Sequence, residues 1–176
     1  MKGKKMVGLK FILNPSQSKN YDCYTEWLKE PLVMRAMNIA EPMPETVQKK
    51  WFRQGMTSLS TVRFEIIEKS TKKLIGFCMI YDYDTVVNTA KVSVYIGDPV
   101  YRFRGYGSEV LNLLCKYALY ELKIHSLWCE VPSFNSAGLS IFRKQGFTEV
   151  GTRHHAGKIG DEYYNLVIFE MINQSF

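Results

Sequence analysis

The sequence predicts an α+β (α/β) fold, a mixed and mostly antiparallel sheet of six to seven strands flanked by about four helices. Three features carry that expectation. Short β-branched runs alternate with only a few helical stretches, and most neighbouring strands are joined by turns too short for a crossover helix. One strand instead runs through a glycine-punctuated loop into a long amphipathic helix. At 176 residues the chain fits one domain, read here as 1–176, and is long enough to bury a substantial core.

The elements follow in order. Residues 7–13 read as a first strand and 21–30 as a helix with Trp27 and Leu28 on its apolar side. Residues 34–44 are punctuated by prolines and read as irregular. A second helix spans 45–55, with Pro44 at its start and Glu45 complementing the positive end of its dipole. Strands at 61–68 and 73–81 flank the polar turn Lys69-Ser70-Thr71-Lys72, and 82–89 leads to the alternating strand Val92-Ser93-Val94-Tyr95-Ile96. Val110, Leu111, Leu113, Leu114, Tyr117, Ala118 and Leu122 then recur at helical spacing. A strand at 126–131, a short helix at 135–145 closing at Gly146, and strands at 148–153 and 162–171 complete the chain.

Composition narrows the function classes. With 46% apolar and 23% charged residues the chain reads as an ordinary globular protein. No apolar run approaches the roughly 20 residues that span a bilayer, and the basic start before Lys10 and Asn14 lacks a signal-peptide core. A cytoplasmic location without membrane contact is the expectation. Cys23, Cys78, Cys115 and Cys129 stand far apart, without a CxxC pair or histidines at ligand spacing. They read as buried free thiols, and no metal is expected. The net charge of +6 is spread over small clusters without interleaved aromatics, which argues for an anionic small molecule rather than nucleic acid.

The strongest local signal is Arg102-Phe103-Arg104-Gly105-Tyr106-Gly107-Ser108-Glu109. A strand that turns through two glycines into a helix leaves backbone N–H groups at the positive end of the helix dipole, with arginines beside them. That is a phosphate cradle. It matches neither GxxxxGK[ST] nor GxGxxG, because Gly105-x-Gly107 is followed by Val110. Taken alone, two glycines are also simple turn chemistry.

A second element sits one strand later, Asn135-Ser136-Ala137-Gly138-Leu139-Ser140-Ile141-Phe142-Arg143-Lys144-Gln145-Gly146-Phe147. Together with Arg102-x-x-Gly105-x-Gly107, it resembles the acetyl-CoA motifs of GNAT-family N-acetyltransferases. Ile96-Gly97-Asp98-Pro99, Gly107-Ser108-Glu109, Tyr24-x-x-Trp27-Leu28 and Gly160-Asp161-Glu162-Tyr163 look most like the branch of ribosomal-protein N-terminal and spermidine acetyltransferases. The resemblance implies the GNAT acyl-CoA N-acyltransferase fold, with a splayed central strand pair. It implies acetyl transfer from acetyl-CoA to a primary amine by direct attack in a ternary complex, with CoA as product. Amides of Arg104, Gly105, Tyr106, Gly107 and Ser108 would cradle the pyrophosphate, with Arg102 beside them. Tyr95 and Ile96 would meet the pantetheine arm, Asn135 would bind near it, and Phe142, Arg143 and Lys144 would flank the cofactor. The bland alternatives are a core Tyr95, a merely capping Asn135 and a solvated Lys144.

Two departures bear on proton transfer. Many relatives carry tyrosine where this chain has Phe142, and phenylalanine has no proton to give. Many also carry glutamate at the position of Lys91. Glu65, Asp82, Asp84, Glu130, His154 and His155 fall on strands or loops that could face the acceptor cleft; His154, His155 and Glu130 are the catalytic candidates carried forward, although adjacent histidines on a strand face opposite ways. Neutralising an alkylamine at pH 7 costs about 4–5 kcal/mol, against about 1 kcal/mol for an α-amine. A weakly basic acceptor, such as a protein N-terminus or amino sugar, is therefore expected. An acetyl-CoA-binding sensor or interaction module without turnover is the alternative. Exposed strand edges and aromatic content make a homodimer reasonable.

Overall fold

The computed structural model describes residues 3–174 apart from 38, 40 and 42. Its strands are β1 (Met6–Val7), β2 (Phe11–Pro15), β3 (Val62–Glu68), β4 (Leu74–Asp84), β5 (Thr89–Ile96), β6 (Ser126–Pro132), β7 (Thr148–Ile159) and β8 (Glu162–Ile172). They form one sheet in the order β1-β2-β3-β4-β5-β6-β8-β7. Every neighbouring pair is antiparallel except β5 and β6, whose parallel pairing requires a crossover. That crossover is α4 (Tyr106–Lys116), extended by a π turn over Tyr117–Glu121. The other helices are α1 (Tyr21–Trp27), α2 (Pro31–Ala36), α3 (Glu45–Thr57) and α5 (Ser136–Lys144).

Two counts differ from the sequence expectation. The segment read as one strand folds back on itself, pairing Met6 with Leu13, and Gly8 N donates to Phe11 O at 2.9 Å. The described residues therefore hold eight strands. They also hold a fifth helix, α2, which begins before the 34–44 stretch read as irregular and runs into its first residues. Pro31 sits at its first turn, where the missing N–H is harmless. Of the remainder of 34–44, positions 38, 40 and 42 lie outside the described residues.

The sheet is buried on both faces, which explains the nearly continuous apolar character of β3 and β4. Val110, Leu111 and Leu114 of α4 and Phe142 of α5 pack with Ile66, Cys78, Ile80, Val92 and Phe169 on one face. Phe142 stands edge-on to Phe147 at 5.1 Å between ring centres and stacks on Phe169 at 6.0 Å. On the other face Tyr24 and Phe52 cover Phe77 and Met79. Cys78, Cys115 and Cys129 are buried thiols, but Cys23, on the outer side of α1, is exposed. Among the described residues no helix is long and apolar enough to cross a membrane.

One ion pair fixes the α1–α2 corner to the loop before α4. Glu30 caps α2, and its carboxylate accepts from Arg102 Nη1 at 2.7 Å and Nη2 at 2.6 Å. Arg102 Nε also donates to Ile96 O at 3.0 Å, and Nη2 to Gly97 O at 2.6 Å. Gly97 has no room for a side chain, since a Cβ would come within 2.1 Å of the Trp27 indole. The bidentate geometry makes this stronger than an ordinary surface pair.

Two outcomes follow for stability. Phe142→Ala should cost about 3–5 kcal/mol in urea denaturation, as expected for deleting a buried aromatic ring. Hydrogen bonding from Arg102 holds the Glu30 carboxyl below its ordinary range. The folded-state value thus lies below the unfolded one, so the pair's contribution is complete above about pH 5 and lost as pH falls through about 4.3 and lower. Thermal melts over that window should show a shallower acid loss for Glu30→Gln than for the parent chain.

Candidate active site between β5 and β6

β5 and β6 pair over only three positions, Thr89 with Ser126, Ala90 with Leu127 and Lys91 with Trp128. Beyond them β5 stays on β4 as far as Ile96, and β6 stays on β8 as far as Pro132. The two strands part between their outer partners and leave a cleft. Lys91 marks the fork, with Nζ 4.5 Å from the centre of the Trp128 ring and 3.1 Å from the Asp82 carboxylate.

Alternation decides which backbone groups face the gap. Gly97 N donates to Ile75 O, and a Cβ on Gly76 would strike Tyr95 O at 2.1 Å. Odd-numbered residues at this end of β5 therefore point their peptide groups at β4. Val94 and Ile96 point theirs into the cleft. The Ile96 carbonyl is already satisfied by Arg102, which leaves the Ile96 N–H and the Val94 groups facing the space.

The cavity at this place measures about 340 Å³. Tyr95, Ile96, Arg102, Gly105, Gly107, Ser108 and Asn135 line it, as do Tyr101, Phe103 and Ile141. The loop over its mouth curls through two left-handed residues, Phe103 (φ 57°) and Gly105 (φ 83°), before α4 begins. Asp98 anchors the loop's start by accepting from Val100 N at 3.0 Å and pairing with Lys73 at 2.7 Å. The β1–β2 turn braces its end, where Lys10 Nζ donates to Arg104 O at 3.3 Å and Glu109 accepts from Leu9 N. The first α-helical bond of α4 runs from Glu109 N to Gly105 O, so the preceding amides are unspent at the positive helix end.

Gly107 gives the cavity its depth. A Cβ there would meet nothing closer than Ile141 at 3.9 Å and Ile96 at 4.0 Å, so the protein's own packing does not demand glycine. A side chain would instead project into the cleft. Asn135 both caps α5, with Oδ1 accepting from Gly138 N at 3.0 Å, and lines the cavity. Gly138 permits that cap, since a Cβ would sit 2.8 Å from Asn135 Nδ2. Ser108 is tied to α5 by Gln145 Nε2 at 2.9 Å.

Several residues singled out in the sequence lie elsewhere. Phe142 is in the core rather than beside the cavity, because the α5 face carrying it turns to Phe147 and Phe169. Lys144 is exposed, and Arg104 is exposed with its carbonyl held by Lys10. Tyr106 packs inward against Tyr101 at 5.5 Å. Arg102 lines the cavity, yet its guanidinium is occupied by Glu30 and two carbonyls. The Tyr95 ring packs between Trp27 and Phe77. Its hydroxyl is buried without a hydrogen-bond partner, and burial pushes the phenol pKa up. Glu130 is paired with Arg153 at 2.6 Å. His154 and His155 are exposed where β7 bulges between Arg153 and Gly157, and His155 (φ 50°) lies against Tyr163. Val33 of α2 also reaches the cavity, from a position the sequence reading assigned to no element.

The chain matches the acetyltransferase (GNAT) domain over residues 10–148. An N-acetyltransferase 9-like protein of Nematostella vectensis is 23% identical over 158 residues, covering 82% of this chain and 78% of the relative. Alpha/beta-tubulin-N-acetyltransferase 9 of Drosophila melanogaster shows the same identity and coverage. Among solved structures, spermidine N-acetyltransferase from Vibrio cholerae, in complex with CoA and spermine, superposes with a TM-score of 0.85 at 16% identity. That likeness covers 93% of this chain and 96% of the other, and at this identity it speaks for the fold. With the domain match spanning most of its length, the chain belongs to the GNAT acetyltransferase family and is an N-acetyltransferase.

Proposed function

We propose that the chain transfers an acetyl group from acetyl-CoA to a weakly basic primary amine, with both held in the cleft between β5 and β6. The parting of those two strands after Lys91 and Trp128 is the observation that carries this reading. Its support is the fit between unspent groups and the cofactor's chemistry. The amides at the start of α4 face a cavity that Gly107 keeps open, as a diphosphate requires. Val94 and Ile96 offer backbone groups of the kind that an amide-bearing pantetheine arm pairs with. Asn135 Nδ2 remains for the same arm, because capping uses only Oδ1.

When bound, acetyl-CoA supplies an activated thioester carbonyl. The chain's contribution is to hold the amine against it, exclude water and direct a β5 N–H at the oxygen where charge develops. Among the described residues no side chain of the cleft is set apart for proton transfer. Phe142 is a buried hydrocarbon, Lys91 is engaged by Asp82, and Glu130 by Arg153. An acceptor whose amine is substantially neutral near pH 7 suits such a site. The relatives' names give spermidine and tubulin as acceptors, and for this site the α-amine class fits better than an alkylamine.

Two measurements check this. For peptide N-termini, kcat/KM should rise with pH and level off near the α-amine pKa of about 8, and should exceed that for spermidine at pH 7. Faster acetylation of spermidine would overturn the choice of acceptor. Gly107→Val should weaken acetyl-CoA binding at least tenfold by calorimetry while leaving the melting temperature nearly unchanged, since the added atoms enter the cavity and not the core.

A further inference from the structure

The rim of the cleft carries one large side chain, on a residue that neither packing nor backbone favours. Of the residues that line the cavity, only Phe103, Gly105 and Ala137 are exposed, so these three mark its mouth. Glycine and alanine bring almost no side chain to it. Phe103 is 92% exposed, and none of the ring–ring contacts among the described residues includes it. A single exposed aromatic is ordinary on a protein surface. The backbone beneath this one is not. Of the six described non-glycine residues with positive φ, Phe103 alone is apolar. Glycine or asparagine adopts its φ of 57° at less cost than a bulky side chain does. The ring thus opposes its own backbone and gains no burial in return.

The place of the ring says what it meets. Phe103 directly precedes the amides of residues 104–108, at the positive end of α4. Its loop is fixed on both sides. Asp98 Oδ1 accepts from Val100 N at 3.0 Å, Arg102 spans Ile96 O and Glu30, and Lys10 Nζ donates to Arg104 O at 3.3 Å. The ring therefore stands on a braced backbone at the mouth. A cavity of about 340 Å³ is too small for the whole of acetyl-CoA. With the thioester at the fork and the diphosphate on the amides, the pantetheine arm takes the slot and the adenosine end passes out over the rim. The large side chain waiting there is Phe103.

We infer that the Phe103 ring stacks on the adenine of acetyl-CoA. The inference rests on the acetyl-CoA reading above. A purine presents a flat π face to an exposed phenyl ring, and stacking removes apolar area of both from water. The contact also separates two kinds of acetyl donor. An acetyl group on the 4′-phosphopantetheine arm of a carrier protein offers the same arm and a phosphate but no base. Preference for free acetyl-CoA then comes from the rim of the cleft, and acetyl transfer from the fork.

Calorimetry on the whole chain with acetyl-CoA and with acetyl-4′-phosphopantetheine tests this. Phe103→Asn should weaken acetyl-CoA binding by about fivefold or more and leave acetyl-4′-phosphopantetheine within roughly twofold of the parent. Its melting temperature should equal or exceed the parent's, because asparagine suits the left-handed backbone. Phe103→Trp should keep the acetyl-CoA affinity, and its added emission should be quenched by acetyl-CoA but not by acetyl-4′-phosphopantetheine. Should Phe103→Asn fail to fold, that quenching still decides, and quenching by neither ligand or by both alike would overturn the inference. An equal loss on both ligands in Phe103→Asn would also overturn it, making Phe103 a residue that only shapes the loop. Unchanged affinity for both would do the same, as would an effect confined to the KM of the acceptor. A parent chain that binds both ligands equally well would overturn the inference and spare the acetyl-CoA reading. One that binds neither would overturn both.

Discussion

Backbone groups that lose their strand partner must find another, and that requirement organises this protein. β5 and β6 are the only parallel neighbours in the described sheet, and they remain paired for three residues. Past the fork each is still held by an antiparallel neighbour, so neither can close the gap without breaking a longer ladder. The unpaired groups of β5 therefore face a slot of fixed width. An unsatisfied buried amide or carbonyl is expensive, which makes the slot a receptor for an extended chain with amides of its own.

The loop at the end of β5 is shaped by the same need. Arg102 closes one exposed carbonyl of the strand, grips the next residue's carbonyl and is itself held by Glu30. Asp98 and Lys73 hold the loop from one side, and Lys10 and Glu109 from the other. Rigidity here is useful, because amides at a helix start bind an anion well only when already aimed. The opposite face of the sheet is built differently, from aromatic rings around Arg63.

What could be read from sequence was what backbone chemistry forces on residue type. Gly105 must be glycine for its left-handed turn, Gly107 leaves the cavity open, and Asn135 caps a helix while facing the same space. Those demands leave local marks at fixed spacing. Pairings between distant segments leave none. Nothing in the chain announced that Arg102 belongs to Glu30, 72 residues away, or that Lys10 braces Arg104. Phe142 was misplaced because a helix of nine residues offers both a cleft face and a core face, and spacing alone does not distinguish them. Residues 31–33 had no place in the sequence reading, yet Pro31 starts the helix that brings Val33 to the cavity.

The central claim is that the unpaired edge of β5 is a binding surface for the cofactor's amide-bearing arm. Backbone hydrogen exchange, resolved residue by residue with and without acetyl-CoA, tests it most directly. The account predicts that the Val94 and Ile96 amides exchange readily in the free chain and become strongly protected on binding, while Tyr95, whose peptide faces β4, changes little. Protection confined to the loop at 102–108, with Val94 and Ile96 unaltered, would contradict it.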